Sequence, residues 1–508
     1  MMSRDLPTHP NLEHLKKQAK DLLSDFRQGD PAAVERFRSL GSLPAPARPK
    51  LAHAQYAIAR QYGFASWPKL KAHVECLARA SDPVAALVSA VKANDTRGVG
   101  KLLKRHPELK SKLNDPLPGF AFGATALLAA LPWGNREMID ILLRAGADIN
   151  QRSHWWAGGF GVLDDDRGLA PFLIERGAIV DVHAAARLGM LGKLQELVST
   201  NPGLVHARGG DGQTPLHLAP TVAIAQYLLD HGAGIDARDI DHESTAAQYM
   251  VRDRQEVARY LVRGGCRTDL LMAAALGDLE LVRKHLDTDP ACIHLSVSEQ
   301  YFPKQDLRSG GTIYIWTLGA HKTAHLVARE FGHEDVFRLL MERSPAELKL
   351  AQACELGEEG IFKALLAGRP NLVQTLSDDQ RRKIANAAQN NNTKAVRLML
   401  AAGWPVDVRG QHGGTPLHWA AWHGNAAMVR EILRYHPALE LGADEGYDST
   451  PLGWALHGSE HGWHRGTGDY AGAVEALLQA GAKVPKMTED LEASEPVRAV
   501  LLRHATSK

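Results

Sequence analysis

Cysteine is scarce in this chain, an excess of charge of either sign is missing, and so is any long apolar run. The 508 residues carry four cysteines, Cys76, Cys266, Cys292 and Cys354, far apart and with no CxxC pair. That argues against a disulfide or zinc framework and fits buried thiols in a reducing compartment. Lys plus Arg number 59 against 58 for Asp plus Glu, so no overall field would hold phosphate backbones or anionic lipid. Nucleic acid is therefore not an expected partner. The run Arg381-Arg382-Lys383 is expected on a solvated helix face. Nowhere do roughly 18 apolar residues follow one another as a membrane span requires, and the opening MMSRDLPTHPNLEHLKKQAK lacks the apolar centre of a secretory signal. A cytoplasmic protein without a membrane partner is expected. No nucleophile elbow, phosphate-cradling loop or metal signature occurs, so neither a cofactor nor a metal is expected.

What the chain does have is self-similarity. TPLHWAAWHGNAAMVREIL from Thr415, TPLGWAL from Thr450, TPLHLAP from Thr214 and TALLAALPWGNREMIDILLRAGADIN from Thr125 share one frame. Thr214 and Thr245 are 31 residues apart, Thr415 and Thr450 35. Each unit has the same physical logic. Thr caps a helix, Pro or a small residue fills its first turn, and paired alanines let a neighbouring helix approach closely. Gly ends that helix; a second follows with apolar residues at helical spacing, as in Met138, Ile141, Leu142 and Leu143, and AGA turns the chain out again. The period near 33 residues and GGTPLHWAAWHGN from Gly413 resemble the ankyrin repeat. About eleven units fit between residues 83 and 485, weaker ones starting at Asp181, Asp269, Lys322 and Lys383. The resemblance implies an all-α solenoid of helix-turn-helix units with short hairpin fingers.

Residues 1–79 differ: two stretches with apolar residues at i, i+3, i+4 and i+7 flank the linker GSLPAPARP, Gly41–Pro49. They resemble the helical leader common on bacterial ankyrin proteins, which implies an end cap for the array. Residues 486–508 would cap the other end. Repeats are expected over 83–293 and 322–485, interrupted by an insertion at 294–321 and a loop insertion at 459–468.

Function in such an array belongs to variable positions and insertions rather than to frame residues. Counted from the motif Thr as zero, the helix-ending Gly falls at plus nine in Gly134, Gly332 and Gly424. Trp419 and Trp454 fall at plus four, where a core residue is expected. Trp422 and His457 fall at plus seven and Trp133 and His423 at plus eight, near the groove, which makes them candidates for contact. The unit from Thr450 to Gly481 is ten residues longer than the one from Thr125 to Gly146. The excess, SEHGWHRGTG, together with its edges collects His457, Glu460, His461, Trp463, His464, Arg465, Asp469 and Tyr470 within a few turns. Glu460, Asp469 or a histidine could exchange protons while Trp463 stacks on a ligand ring. Asp469 also suits a helix cap. Gly458 and Gly462 predict a loop, which would take His457 and His461 off a common face and weaken a metal site.

Two further departures stand out. In SHWWAGGFGVLDDDRGLAPFLIERGA from Ser153, Gly158, Gly159 and Gly161 replace a first helix by a loop, with His154, Trp155 and Trp156 offered to the groove and Asp164–Asp166 capping the helix that follows. In the 294–321 insertion, TIYIW has strand propensity and RSGG a turn signal, predicting a protruding hairpin or a loop.

Two functions from different classes follow. One is a binding scaffold meeting a protein partner through its concave face and loops, with Trp133, Trp422 and His423 as anchors. The other is an enzyme or small-molecule binder for a sugar-like or other polar compound, using an acid/base and aromatic pocket built from the insertions, with His457, Glu460, His461, His464 and Asp469 as catalytic candidates. Fold alone does not choose between them.

Overall fold

The computed structural model describes residues 6, 12–38, 51–71, 73–74, 82–164, 168–443, 449–485 and 491–506. Among these residues every regular element is a helix. No strand occurs, only the isolated bridges Arg238–Thr245 and Ser296–Thr323. The chain divides into two compact units, residues 1–188 with 209–211 and residues 189–208 with 212–508.

The first unit begins with helices Leu12–Arg27, Pro31–Arg38 and Leu51–Gln61. Leu15, Leu22, Phe37, Ile58 and Leu70 close a core of their own. Cys76 and the Gly41–Pro49 linker lie outside the described residues. Repeat geometry follows: helices Pro83–Lys92 and Thr96–Arg105, then Ala126–Ala130 and Arg136–Arg144. Leu87, Leu103, Leu127, Met138 and Leu142 interlock between them. The caps are those the sequence announces. Thr125 and Asn135 accept from Leu128 N–H at 3.4 Å and Met138 N–H at 3.1 Å, each such cap being worth about 1 kcal/mol.

The second unit shows why the motif reads TPLH. Thr214 and Thr415 each donate their backbone N–H to Nδ1 of the histidine three residues on, His217 or His418, at 3.2 Å. The other ring nitrogen meets a carbonyl one finger away, Ser244 at 3.0 Å or Ser449 at 3.1 Å. Both rings are buried, and burial pushes each pKa down to about 4, so they are neutral struts. The alanines that follow, Ala273–Ala275 and Ala420–Ala421, have no exposure at all, which lets neighbouring helices approach closely. Gly332 and Gly424 end their helices at φ 77° and 61°, as Gly134 does in the first unit at 64°, left-handed values that glycine adopts without a Cβ penalty.

Three expectations need correction. Residues 153–164 do form a loop, but Asp164 does not cap the helix Ala170–Glu175, whose N-cap makes no side-chain hydrogen bond. Its carboxylate accepts from Gly161 N–H at 2.7 Å and Arg152 Nη2 at 2.8 Å, closing its own loop. Asp165 and Asp166 lie outside the described residues. The 294–321 segment is not a protruding hairpin. Its TIYIW stretch contains the short helix Tyr314–Thr317, and the segment lies down on the finger at 239–244. There Ser309 Oγ and Gly310 N–H donate to Asp241 O at 2.6 and 2.9 Å, and Ile313 N–H donates to Ser244 Oγ at 3.0 Å. Tyr314 is fully buried, its hydroxyl 3.0 Å from the Asp269 carboxylate. Strand propensity yields here to tertiary context, the burial of Tyr314 against Asp269. Finally, Arg381 and Arg382 are partly exposed and paired with Asp378 and Asp379, but Lys383 is not solvated: its side chain is 14% exposed, 3.7 Å from the buried Glu355.

Candidate functional site

The unit that starts at Thr450 keeps the repeat frame at both ends. Thr450 accepts from Gly453 N–H at 3.3 Å, and Trp454 packs edge-on to Trp419 with ring centroids 5.1 Å apart, both indoles buried as their register predicts. The difference comes at plus nine, where Ser459 replaces glycine. With no left-handed residue there, the helix runs on from Pro451 to His461. Gly458 sits inside it for a packing reason: a Cβ at that position would stand 2.7 Å from the Trp422 carbonyl oxygen. The loop expected from Gly458 and Gly462 therefore begins only at Gly462. His457 and His461 end up one turn apart on one helix face, ring centroids 4.5 Å apart.

The insert returns over the preceding repeat. Trp463 lies nearly parallel to Trp419 at 6.1 Å, edge-on to Trp422 at 6.1 Å and 5.6 Å from His423, yet it is 64% exposed. Trp422 stacks with His457 at 5.9 Å. The result is a ledge of exposed or half-exposed rings, Trp422, His457 and Trp463, standing on a buried floor of Trp419, Trp454 and His423. Three polar atoms in this floor and ledge, Trp419 Nε1, Trp422 Nε1 and His423 Nδ1, are buried with no hydrogen-bond partner among the described residues. Such groups are costly to leave unmade.

Not every candidate reaches the ledge. His423 is buried; its Nε2 is 2.8 Å from the Gln389 carbonyl, and burial lowers its pKa, so it is a link between repeats rather than a surface contact. Tyr470 is buried too. Its hydroxyl donates to the Trp422 carbonyl at 2.9 Å, and burial raises its pKa to about 12. Asp469 is the N-cap of the helix Tyr470–Gln479, accepting from Gly472 N–H at 2.8 Å. The proton-exchange candidates divide between two places. His457 and His461 face Glu492, a residue that no motif singles out. His464, 5.1 Å from His423, shares with Asp469 and Arg430 a shallow recess of about 350 Å³. Glu460 is exposed.

In the first unit the 153–164 loop gathers its own rings. Trp155 is edge-on to Phe122 at 5.0 Å and 6.1 Å from Trp156, and Phe122 meets Phe160 at 5.3 Å. The Trp155 indole N–H donates to Asp211 at 3.0 Å. Trp155 and Trp156 are thus half-buried in their own loop, while His154 is exposed and Trp133 is 50% exposed at the end of a short helical turn.

Two features of the second unit escaped the sequence. Trp316, on the short insertion helix, is 73% exposed. A cleft of about 630 Å³ is lined by His294, Tyr301, His321, Arg382, Lys383 and Gln411 among others. Its lysine could have been placed by periodicity, since Lys383 lies three residues after the buried Gln380 and four before the buried Ala387 on the helix Asp378–Gln389.

Comparison with known families matches ankyrin repeats at residues 122–154, 182–270, 350–445 and 384–487, about half of the chain. The matched stretches stop at 154 and resume at 182, and stop at 270 and resume at 350, where the two long departures lie. Among curated proteins, the E3 ubiquitin-protein ligase KEG of Arabidopsis thaliana is 22% identical over 299 residues, which is 48% of this chain and 18% of that protein. The chain thus spans less than a fifth of that relative. No helix among the described residues is long and apolar enough to cross a membrane. With helix pairs, TPLH caps, glycine stops and family matches in agreement, the chain belongs to the ankyrin-repeat family.

Proposed function

We propose that this chain is a protein-binding scaffold whose principal contact is the aromatic ledge of Trp422, His457 and Trp463. The observation that carries the reading is the state of Trp463: 64% exposed, yet held on the Trp419 ring. An exposed aromatic that is already ordered has little rotamer entropy left to lose on binding, which is how interface anchors gain their affinity. Trp133 and Trp316, both at least half exposed, offer further contacts along the same chain. The ubiquitin-ligase activity in the name of the Arabidopsis relative is that of a much longer protein; what carries over is the interaction role that ankyrin repeats commonly serve. The leader and the helix Glu495–Thr506 serve as end caps in this reading. The latter covers the last repeat, with His504 Nε2 2.8 Å and Arg503 Nη2 3.0 Å from Glu475. The cytoplasm is the compartment that suits it, since Cys266, Cys292 and Cys354 are unbridged thiols that burial pushes above their usual pKa.

The test is affinity capture from the native host by the full chain and by Trp463→Ala, read by mass spectrometry. A partner retained by the parent and by His154→Ala but lost with Trp463→Ala supports the ledge. An identical partner set for parent and Trp463→Ala sinks it.

A second reading, a small polar ligand, is favoured by the cleft beside Tyr301, His321 and Lys383, whose lining is rich in hydrogen-bonding side chains. Native mass spectrometry of the purified chain would reveal such a compound, and Tyr301→Ala would release it.

A further inference from the structure

We propose that His457, His461 and Glu492 form a site for a divalent transition-metal ion, zinc in the first instance, that ties the carboxy-terminal segment to the inserted helix. Three observations converge. The uninterrupted helix Pro451–His461 sets the two imidazoles at i and i+4 on one face. Glu492 arrives from the segment that leads into the helix Glu495–Thr506, and its Oε2 lies 3.4 Å from His457 Nδ1 and 3.5 Å from His461 Nε2. Those separations are longer than the 2.7–3.2 Å or so of a good N–H···O hydrogen bond. They do match the edge, about 3.4 Å, of a tetrahedron whose metal–ligand bonds are about 2.1 Å long. The two edges that meet at the carboxylate oxygen thus have the length a shared ion would set, and all three ligand atoms lie within 4.8 Å of one another.

The chemistry of the set points the same way. Two neutral imidazoles and a carboxylate suit zinc and neighbouring first-row ions and leave a coordination position open. Preorganisation comes from contacts that need no ion. Ser459 Oγ, buried in the inserted helix, accepts from Ser494 N–H at 2.9 Å and donates to Leu456 O at 2.7 Å, which fixes the segment two residues from Glu492. Trp422 stacks on His457 and orients its ring, the role outer partners commonly have around a metal-binding histidine. The open position would lie beside the Trp422 and Trp463 ledge, available to a carboxylate or imidazole of whatever the ledge binds.

The side chains of all three ligands are more than half exposed, so replacing them removes donors without opening the core. The experiment uses the full chain, stripped with a chelator and titrated with zinc chloride by calorimetry and with cobalt chloride by visible absorption. The parent should take up one ion with the intense visible bands of four-coordinate cobalt. His461→Ala and Glu492→Gln should each weaken binding by at least about tenfold, the lower end of what even outer-shell changes cost. Tryptophan fluorescence should be quenched by cobalt in the parent, through Trp422, and not in His461→Ala. His464→Ala, which lies against His423 instead, should behave as the parent. Unchanged zinc affinity and stoichiometry in His457→Ala and His461→Ala would overturn the proposal, as would equal loss in His464→Ala.

Discussion

The repeats starting at Thr415 and Thr450 are neighbours built on one plan, and two of the positions at which they differ matter most. Three residues after the motif threonine, one has His418, a buried strut between fingers, and the other Gly453. Nine residues after it, one has Gly424, which stops the helix at φ 61°, and the other Ser459, which does not. From the second difference follow the extended helix, the shared face of His457 and His461, and the room for Trp463 to fold back over Trp419. The missing stop residue and the ten extra residues that begin there turn a repeat of the common plan into one that, with Trp422 of its neighbour, carries a chemical surface.

The largest effect that bears on this comparison concerns the floor common to both repeats. Trp454→Ala removes a buried indole that packs on Trp419 and Trp422, and should cost about 3–5 kcal/mol in denaturant unfolding. A cost near zero would mean that the floor is not a core.

Next comes pH. His418 has its folded pKa depressed to about 4, whereas an unfolded histidine titrates near 6.5. Its contribution is therefore fully present above about pH 6.5 and is lost as pH falls through about 4, because the unfolded chain takes up the proton first. Unfolding free energy should fall by up to about 1.4 kcal/mol per pH unit for this group over that window. His217 and His325 act in the same direction, with folded values of about 4 and about 3. His418→Gln should flatten the slope measured between pH 7 and 5; the Thr450 repeat, with Gly453 at that place, has nothing there to titrate.

A smaller effect separates a packing glycine from a loop glycine. Gly458→Ala should cost about 1–3 kcal/mol as an overpacking change against the Trp422 carbonyl. Gly466→Ala, with nothing within 4 Å of the added carbon, should stay within about 0.5 kcal/mol of the parent. Equal tolerance at both would return Gly458 to the loop that its residue type suggests. The residue with the largest predicted binding effect should show only a small stability change. Trp463→Ala should shift unfolding by less than about 1 kcal/mol, its ring being mostly exposed, while abolishing capture of the partner. A large loss of stability would make Trp463 part of the scaffold instead.

Much of this fold was legible because its determinants are local and repeated. Thr at the cap, Pro in the first turn, paired Ala and the plus-nine Gly each act within one helical turn, and the register alone placed Trp419 and Trp454 in the core. What escaped depends on contacts across the sequence. Gly458 looks like a breaker until the Trp422 backbone is seen beside it. TIYIW has the composition of a strand, but its tyrosine is claimed by Asp269. His423 occupies an exposed-looking helix end, yet the carbonyl that buries it belongs to Gln389, one repeat earlier. Glu492 carries no motif at all, and only the path of the chain after the last repeat brings it to His457 and His461.

The Trp422 carbonyl oxygen has a mechanical consequence. It receives the Tyr470 hydroxyl at 2.9 Å, and the backbone at Gly458 passes so close that an added methyl carbon would sit 2.7 Å from it. The helix before the insert and the helix after it therefore bear on one rigid point of the previous repeat's main chain. A load applied to the ledge reaches that main chain directly at Gly458 and through the buried Tyr470 ring, so the inserted loop moves together with the repeat beneath it.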